Sequence, residues 1–435
     1  MNTTITHRAA ALLLAVLCAG VCATARQTLS LKQCQERALQ NNAKIKSAGI
    51  DIRMAQESKA MARSNYIPSI SANMAVFDAS DDLVSVDLPT IPGLGSLGSL
   101  GMVNSGRLGG VTATLPVYAG GRIHNANKLA DIALETKRLQ LEQNESEVRL
   151  TTARYYWQTV NLKARIETLD RIDAQLAELH KNVQNSVNAG VTLENDLLQV
   201  RLKQNEQSSS RLKLQDALNL SRMLLAQYIG MGLDSVDTEN FSDYSLPSRP
   251  DALYATPAEA LHNTAEYRLM QCNVSGNQLQ RKLALGKNLP TLSLGGGYSY
   301  MNITDKDRSL WHGFATLSIP ISSWIGGTHE VKRQKMAVEN AQLTLQDNSE
   351  MMQLQMTDKW NKTNEAYNQL SIALKSIQQA EENLRLMQNQ YNAGVRTMSD
   401  LLEAQTLYQR SRNQFVDART DYEVSCAEYL KATGR

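Results

Sequence analysis

Two hydrophobic periods alternate along this chain, and the switches between them mark out its elements. Steps of three and four through Met352, Met356, Lys359, Thr363, Ala366, Leu370, Ala373, Ile377, Ala380, Leu384, Met387 and Tyr391 meet almost only apolar or small side chains. The same steps 204 residues earlier meet Val148, Thr152, Tyr155, Thr159, Leu162, Ile166, Leu169, Asp173, Leu176, His180, Val183 and Val187. This is one heptad seam in one register in both halves, the pattern of long helices packed side by side. Prolines agree, because none of the nine lies between 117 and 246 or after 320. A continuous helix from 122 to 188 would run about 100 Å. No compact domain holds such a helix, so it requires a coiled-coil or tubular assembly.

Elsewhere the period is two. Ile70, Ala72, Met74 and Val76 alternate with Ser69, Ser71 and Asn73, and Val111, Ala113, Leu115 and Val117 alternate with Thr112 and Thr114. Leu292, Leu294, Tyr298 and Tyr300 alternate with Ser293, Gly295, Gly297 and Ser299. Ala315, Leu317, Ile319 and Ile321 do so with Phe314, Thr316 and Ser318. These runs predict four strands of about ten residues, enough for a tilted strand to cross a bilayer. A half-buried soluble sheet alternates too. Here, however, the polar rows are small Ser, Thr and Gly, and Tyr118, Tyr298, Tyr300 and Trp311 sit near strand ends as an interfacial girdle would. Pro68, Pro116, Pro290 and Pro320 flank the runs and are expected at or near strand ends, since proline cannot donate to a ladder. Four strands cannot close a barrel, and open edges cannot stay unpaired in lipid. Several copies must therefore share one barrel.

Punctuation shows a duplication. Asn188-Ala189-Gly190-Val191 recurs as Asn392-Ala393-Gly394-Val395, each followed by Asp-Leu-Leu, at 196–198 and 400–402. Asn-x-Gly adopts left-handed backbone angles readily, so Gly190 and Gly394 are expected at the tips of two helical hairpins. Ala38–Asn42 resembles Ala260–Thr264, and Tyr66-Ile67-Pro68 resembles Asn288-Leu289-Pro290, both at an offset of 222. The expected order is a first repeat over 26–230, a linker over 231–256 and a second repeat over 257–435. The first repeat would hold a helix over 31–64, a β-hairpin over about 66–118 and a helical hairpin over 122–230. The second would hold a helix, a β-hairpin over about 289–321 and a helical hairpin over 327–434. Ahead of both, Arg8, the apolar run 9–21 and Ala23-Thr24-Ala25 predict a removable export signal over 1–25.

Composition narrows the function classes. Aromatic residues make up 5% of the chain, which argues against a large conventional core, and a net charge of +2 argues against a nucleic-acid partner. Cys34, Cys272 and Cys426 are scattered without metal-ligand or disulfide spacing, and the histidines form no ligand pair. Gly120-Gly121 and Gly326-Gly327 lack a phosphate-loop lysine and are expected as hinges between strand and helix. No nucleophile–base pattern is present, so no enzyme activity, cofactor or metal is expected.

The repeat order, the proline-marked strands and the stretch Tyr391-Asn392-Ala393-Gly394-Val395-Arg396-Thr397 with Asp400 and Glu403 resemble the TolC family of outer-membrane efflux channels. The resemblance covers nearly the whole chain after the signal. It implies an α+β membrane protein: a homotrimer whose twelve-stranded barrel, four strands per protomer, lies in outer-membrane lipid and continues into a periplasmic helical tunnel, with the linker as an equatorial region. It implies docking to a periplasmic adaptor and an inner-membrane transporter. It also implies a latch in which Tyr391 and Arg396 match one side and Asp196 the other, and a constriction ring of Asp400 and Glu403. Composition alone leaves those two carboxylates as ordinary solvated helix residues, and Glu403 stands where the family often has Asp. Two other roles are alternatives: the duct of a type I polypeptide secretion system, and a periplasmic adaptor or scaffold. The second fits poorly, because adaptors carry one hairpin inserted in soluble β domains.

Overall fold

The computed structural model describes residues 26–81, 83, 85–87, 99–101, 103–241, 244–303, 307–321 and 323–435. The expected signal at 1–25 and the Gly/Leu-rich stretch 93–98 lie outside these. Strand β1 (Gln27–Leu29) leads into α1 (Leu31–Asn41) and α2 (Ala43–Ser64). Then come β2 (Ser69–Asp78), the short β3 (Ser85–Asp87) and β4 (Ser99–Gly101), and β5 (Ser105–Ala119). The first long pair is α3 (Arg122–Asn188) and α4 (Glu194–Tyr228). After β6 (Val236–Thr238) the order repeats: α5 (Pro257–Leu261), α6 (Ala265–Lys287), β7 (Thr291–Asn302), β8 (Asp307–Ser318), α7 (Ser323–Asn392) and α8 (Met398–Ala432). The chain divides into two compact units, one of residues up to 49, 140–268 and 348–435, the other of 50–139 and 269–347.

The second unit holds a four-stranded antiparallel sheet in the order β2-β5-β7-β8. Its register carries a row such as Ala72, Val111, Tyr298 and Trp311 straight across all four strands. The parallel row of Ile70, Ala113, Gly296 and Gly313 lies on the same side. The opposite side runs through Ser71, Thr112, Gly297 and His312. One face is therefore apolar and the other mostly small and polar. The apolar face is uncovered within one chain: Met74, Leu317 and Trp311 are 77%, 63% and 81% exposed. Pro68 and Pro290 directly precede β2 and β7, and Pro320 follows β8. Pro116 sits near the end of β5, where the register slips between Pro116 and Tyr118, so its missing N–H falls at an irregularity.

One hinge expectation holds and the other is corrected. Gly120 (φ +63°) and Gly121 (φ +73°) turn β5 into α3, and a Cβ on Gly120 would strike the Gly286 carbonyl of α6. Gly326-Gly327, in contrast, lie inside the first turns of α7, so the passage from β8 falls earlier, before Ser323. Glycine is required at 327 for space, since a Cβ there would strike the Asn288 side chain. The stretch 31–64 is also not one helix. Asn42 breaks it: its Oδ1 accepts from Lys44 N–H at 2.9 Å and its Nδ2 donates to Tyr228 O at 3.0 Å. Thr264, at the 222-residue offset, does the same for the second copy, its Oγ1 accepting from Tyr267 N–H at 3.3 Å. Local side-chain capping outcompetes helix continuation at both sites.

The first unit is helical. Every seam position from Val148 to Val187 and from Met352 to Tyr391 is buried or half-buried, none exposed. The polar exceptions sit at the edge of the seam and are paired: Asp173 with Arg211 at 3.2 Å, His180 with Arg201 at 3.3 Å and Lys359 with Glu428 at 2.6 Å. Cys34 and Cys426 fill cores, and burial pushes their thiols up to about 12 and about 11. A ladder of Tyr408, Phe415, Tyr422 and Tyr429, one per heptad of α8, holds the linker. Phe415 packs on Tyr244 at 5.3 Å, and Tyr422 Oη donates to Ser248 O at 3.0 Å. Tyr429 Oη accepts from Ala255 N–H at 2.9 Å and donates to its carbonyl at 3.2 Å.

Candidate functional site at the hairpin tips

The two tips are built by the same hydrogen bonds. At the first, Val191 N–H reaches Ser186 O and Gly190 N–H reaches Val187 O, each at 2.9 Å. At the second, Val395 N–H reaches Gln390 O and Gly394 N–H reaches Tyr391 O, again at 2.9 Å. Both are Schellman ends with glycine at φ +73° and +74°. The return helices end likewise at Gly230 (φ +72°) and Gly434 (φ +72°), glycines the sequence reading passed over although they share the 204-residue offset.

Beyond the turns the copies diverge. Thr397 caps α8: its Oγ1 accepts from Asp400 N–H at 3.2 Å, while Asp400 Oδ2 accepts from Thr397 N–H at 3.1 Å and from its hydroxyl at 2.9 Å. The matching position of the first copy is Leu193, which is 74% exposed and gives α4 no side-chain cap. Val191 and Val395 are exposed alike, so the difference is that the first tip presents Leu193 to solvent where the second closes its helix through Thr397.

The hairpins meet in an apolar core of Ile172, Leu176, Val183, Leu197, Val200, Met398 and Leu401, with Tyr391 packed against it. Each fully buried leucine contributes about 1.5–3 kcal/mol, so this core keeps the two tips together. Above it comes a buried polar layer, in which Gln207 and Gln409 exchange amide hydrogen bonds at 2.8 and 3.2 Å.

Of the residues singled out by resemblance, Tyr391 packs against the core shared by the two hairpins, within reach of the Asp196 charge. Burial raises the Tyr391 phenol, and the Asp196 charge raises it further. Arg396 does not meet Asp196 within one chain; its Nε donates to Gln390 Oε1 at 3.2 Å. Arg396, Asp400 and Glu403 instead line one groove of about 360 Å³ with Arg410. Asp400 is held below the usual carboxylate range, first by the Thr397 backbone N–H and then by its hydroxyl. The carboxylate read as a ring member is therefore also a helix cap. The Thr-x-x-Asp spacing at 397–400 is the signal that identifies it from sequence.

A duplicated pair of helical hairpins joined to an amphipathic open sheet defines a channel-forming class of membrane protein. The family model of outer membrane efflux proteins matches residues 35–231 and 256–435, and the chain belongs to that family. It is an outer-membrane efflux channel protein with a helical periplasmic extension. Among solved structures, the outer-membrane channel OprN is similar at a TM-score of 0.77 and 15% identity, over 93% of this chain and 89% of that one. VceC from Vibrio cholerae has a TM-score of 0.75 at 15% identity, over 93% and 96% of the two chains. The open-state MtrE channel of Neisseria gonorrhoeae has a TM-score of 0.72 at 14% identity, over 93% and 88%. Likeness at such identity is likeness of fold. Curated protein sequences give no match.

Proposed function

We propose that three copies of this chain close one twelve-stranded outer-membrane barrel, continued by a tunnel of their helical hairpins. It would serve as the exit duct of a tripartite efflux system, receiving small molecules from an inner-membrane transporter through a periplasmic adaptor. The observation that carries this is the sheet: one apolar face lies uncovered, and β2 and β8 each keep an unpaired edge within the chain. In lipid those edges must pair with another copy. The helices support the same reading. Leu198, Leu202, Leu212 and Leu220 of α4, and Leu354, Ile372 and Leu386 of α7, stay exposed at whole numbers of turns, as faces awaiting a neighbour would.

At the tip, Asp196, Tyr391 and Arg396 serve as the latch, with Arg396 leaving Gln390 for a neighbouring hairpin. Asp400 and Glu403 serve as the cation-favouring constriction. The test is mass measurement in mild detergent: a heat-labile trimer is expected. A stable monomer in bilayers would refute the proposal, and a tetramer would refute the twelve-stranded count.

A further inference from the structure

The register of the four-stranded sheet sorts its paired residues onto two faces, and the polar face is poor in charge. It carries Ser69, Ser71 and Asn73 on β2, Thr112 and Thr114 on β5, and glycine or hydroxyl residues along most of β7. Among the described strand residues, that face has two groups able to hold charge, Arg308 and His312, both on β8. It has no carboxylate; Asp78 and Asp307 fall on the apolar face at its outer margin.

His312 is seated rather than loose. It stands opposite Gly297, where an added Cβ would come within 3.2 Å of the imidazole. Its Nδ1 lies 3.5 Å from Ser299 Oγ, and its ring stacks on Phe314 at 6.1 Å and 15°. No titratable side chain faces it from β7, whose residues there are Gly295, Gly297 and Ser299. The β2 edge that would adjoin β8 in a closed barrel offers Ser69, Ser71 and Asn73, which are also uncharged. Arg308, four residues outward and about 14 Å along the strand, is the nearest charge on that face.

We propose that His312 sets the charge selectivity of the barrel interior, turning the outer end of the duct toward anions when its imidazole is protonated. The inference rests on the barrel reading above, in which the apolar face meets lipid and the polar face lines the lumen. Imidazole is the side chain that ordinarily changes charge between about pH 8 and pH 5. Protonation takes each copy from one positive charge on this wall, Arg308, to two. With no carboxylate on the wall to neutralise it, the added charge acts directly on passing ions. The tip carboxylates pull the other way, so the two ends of the duct would select opposite signs in acid.

Reversal potentials across planar bilayers under a KCl gradient test this. For the wild-type channel, chloride-to-potassium permeability should rise at least about twofold between about pH 8 and pH 5.5. His312→Gln carries the same tip and should lack this rise, while His312→Arg should hold the acid-like preference at both pH values. A rise in His312→Gln equal to that of the wild type would overturn the inference and leave the barrel standing. If the glutamine variant fails to insert, His312→Arg decides alone: a channel at pH 8 no more anion-preferring than wild type overturns it. Silent bilayers with the wild-type protein would overturn the barrel reading and this inference together.

Discussion

Asp400 combines two roles in one side chain. By resemblance it belongs to a ring of charge; by geometry it closes the first turn of α8 through Thr397. The two roles respond differently to pH and to substitution. A carboxylate whose folded pKa is depressed stabilises above its unfolded value of about 3.9, and that contribution is lost as pH falls through the folded value. Hydrogen-exchange protection over 394–402, taken relative to the intrinsic amide rate at each pH, should therefore be high at neutral pH and fall severalfold in strong acid. Asp400→Ala should show low protection at both. Equal protection in wild type and variant at neutral pH would show that the cap contributes nothing. The latch is a separate matter. Tyr391 already leans on the tip core near Asp196, while Arg396 is engaged with Gln390. Tyr391→Phe with Arg396→Ser should raise single-channel conductance severalfold without dissociating the assembly, because apolar packing and not these polar groups holds each tip. Charge-assisted bonds lost there are worth about 1.5–3 kcal/mol each when shielded and less when wet. Unchanged conductance would remove both residues from the latch.

At the scale of elements, the linker draws its position from α8. Tyr408, Phe415, Tyr422 and Tyr429 recur at heptad spacing, and three of them hold linker groups by ring contact or hydrogen bond. Arg412 joins them, its Nη1 donating to Tyr408 Oη at 2.9 Å and its guanidinium lying 4.2 Å from the Tyr244 ring centroid. Tyr429→Phe deletes both bonds to Ala255 and should cost about 1–3 kcal/mol. Exchange over 248–256 should speed up roughly in proportion, with the tip unaffected. A uniform loss across all helices would mean that Tyr429 supports the bundle rather than the linker. The ladder was legible in principle as a heptad repeat of aromatics, but its use was not, since nothing in 231–256 announces which helix receives it.

For the molecule as a whole, two long periods and four short ones were enough to order the elements, because each is a local consequence of side-chain spacing. The duplication was legible for the same reason: the glycines at 190 and 394 meet one backbone requirement twice, a left-handed residue in a Schellman end. Boundaries set by contacts between distant segments were not legible. Asn42 breaks a helix-like stretch partly because Tyr228 O lies beside it, and Gly327 is small because Asn288 is there. Periodicity, turns and the amphipathic character of each strand are written along the chain, since these depend on sequence neighbours. The strand order β2-β5-β7-β8, and the register that brings the apolar sides of the four strands onto one face, arise only on folding. Those depend on pairings between residues far apart in sequence, and a strand's alternation is equally satisfied by any neighbour in either register-compatible order.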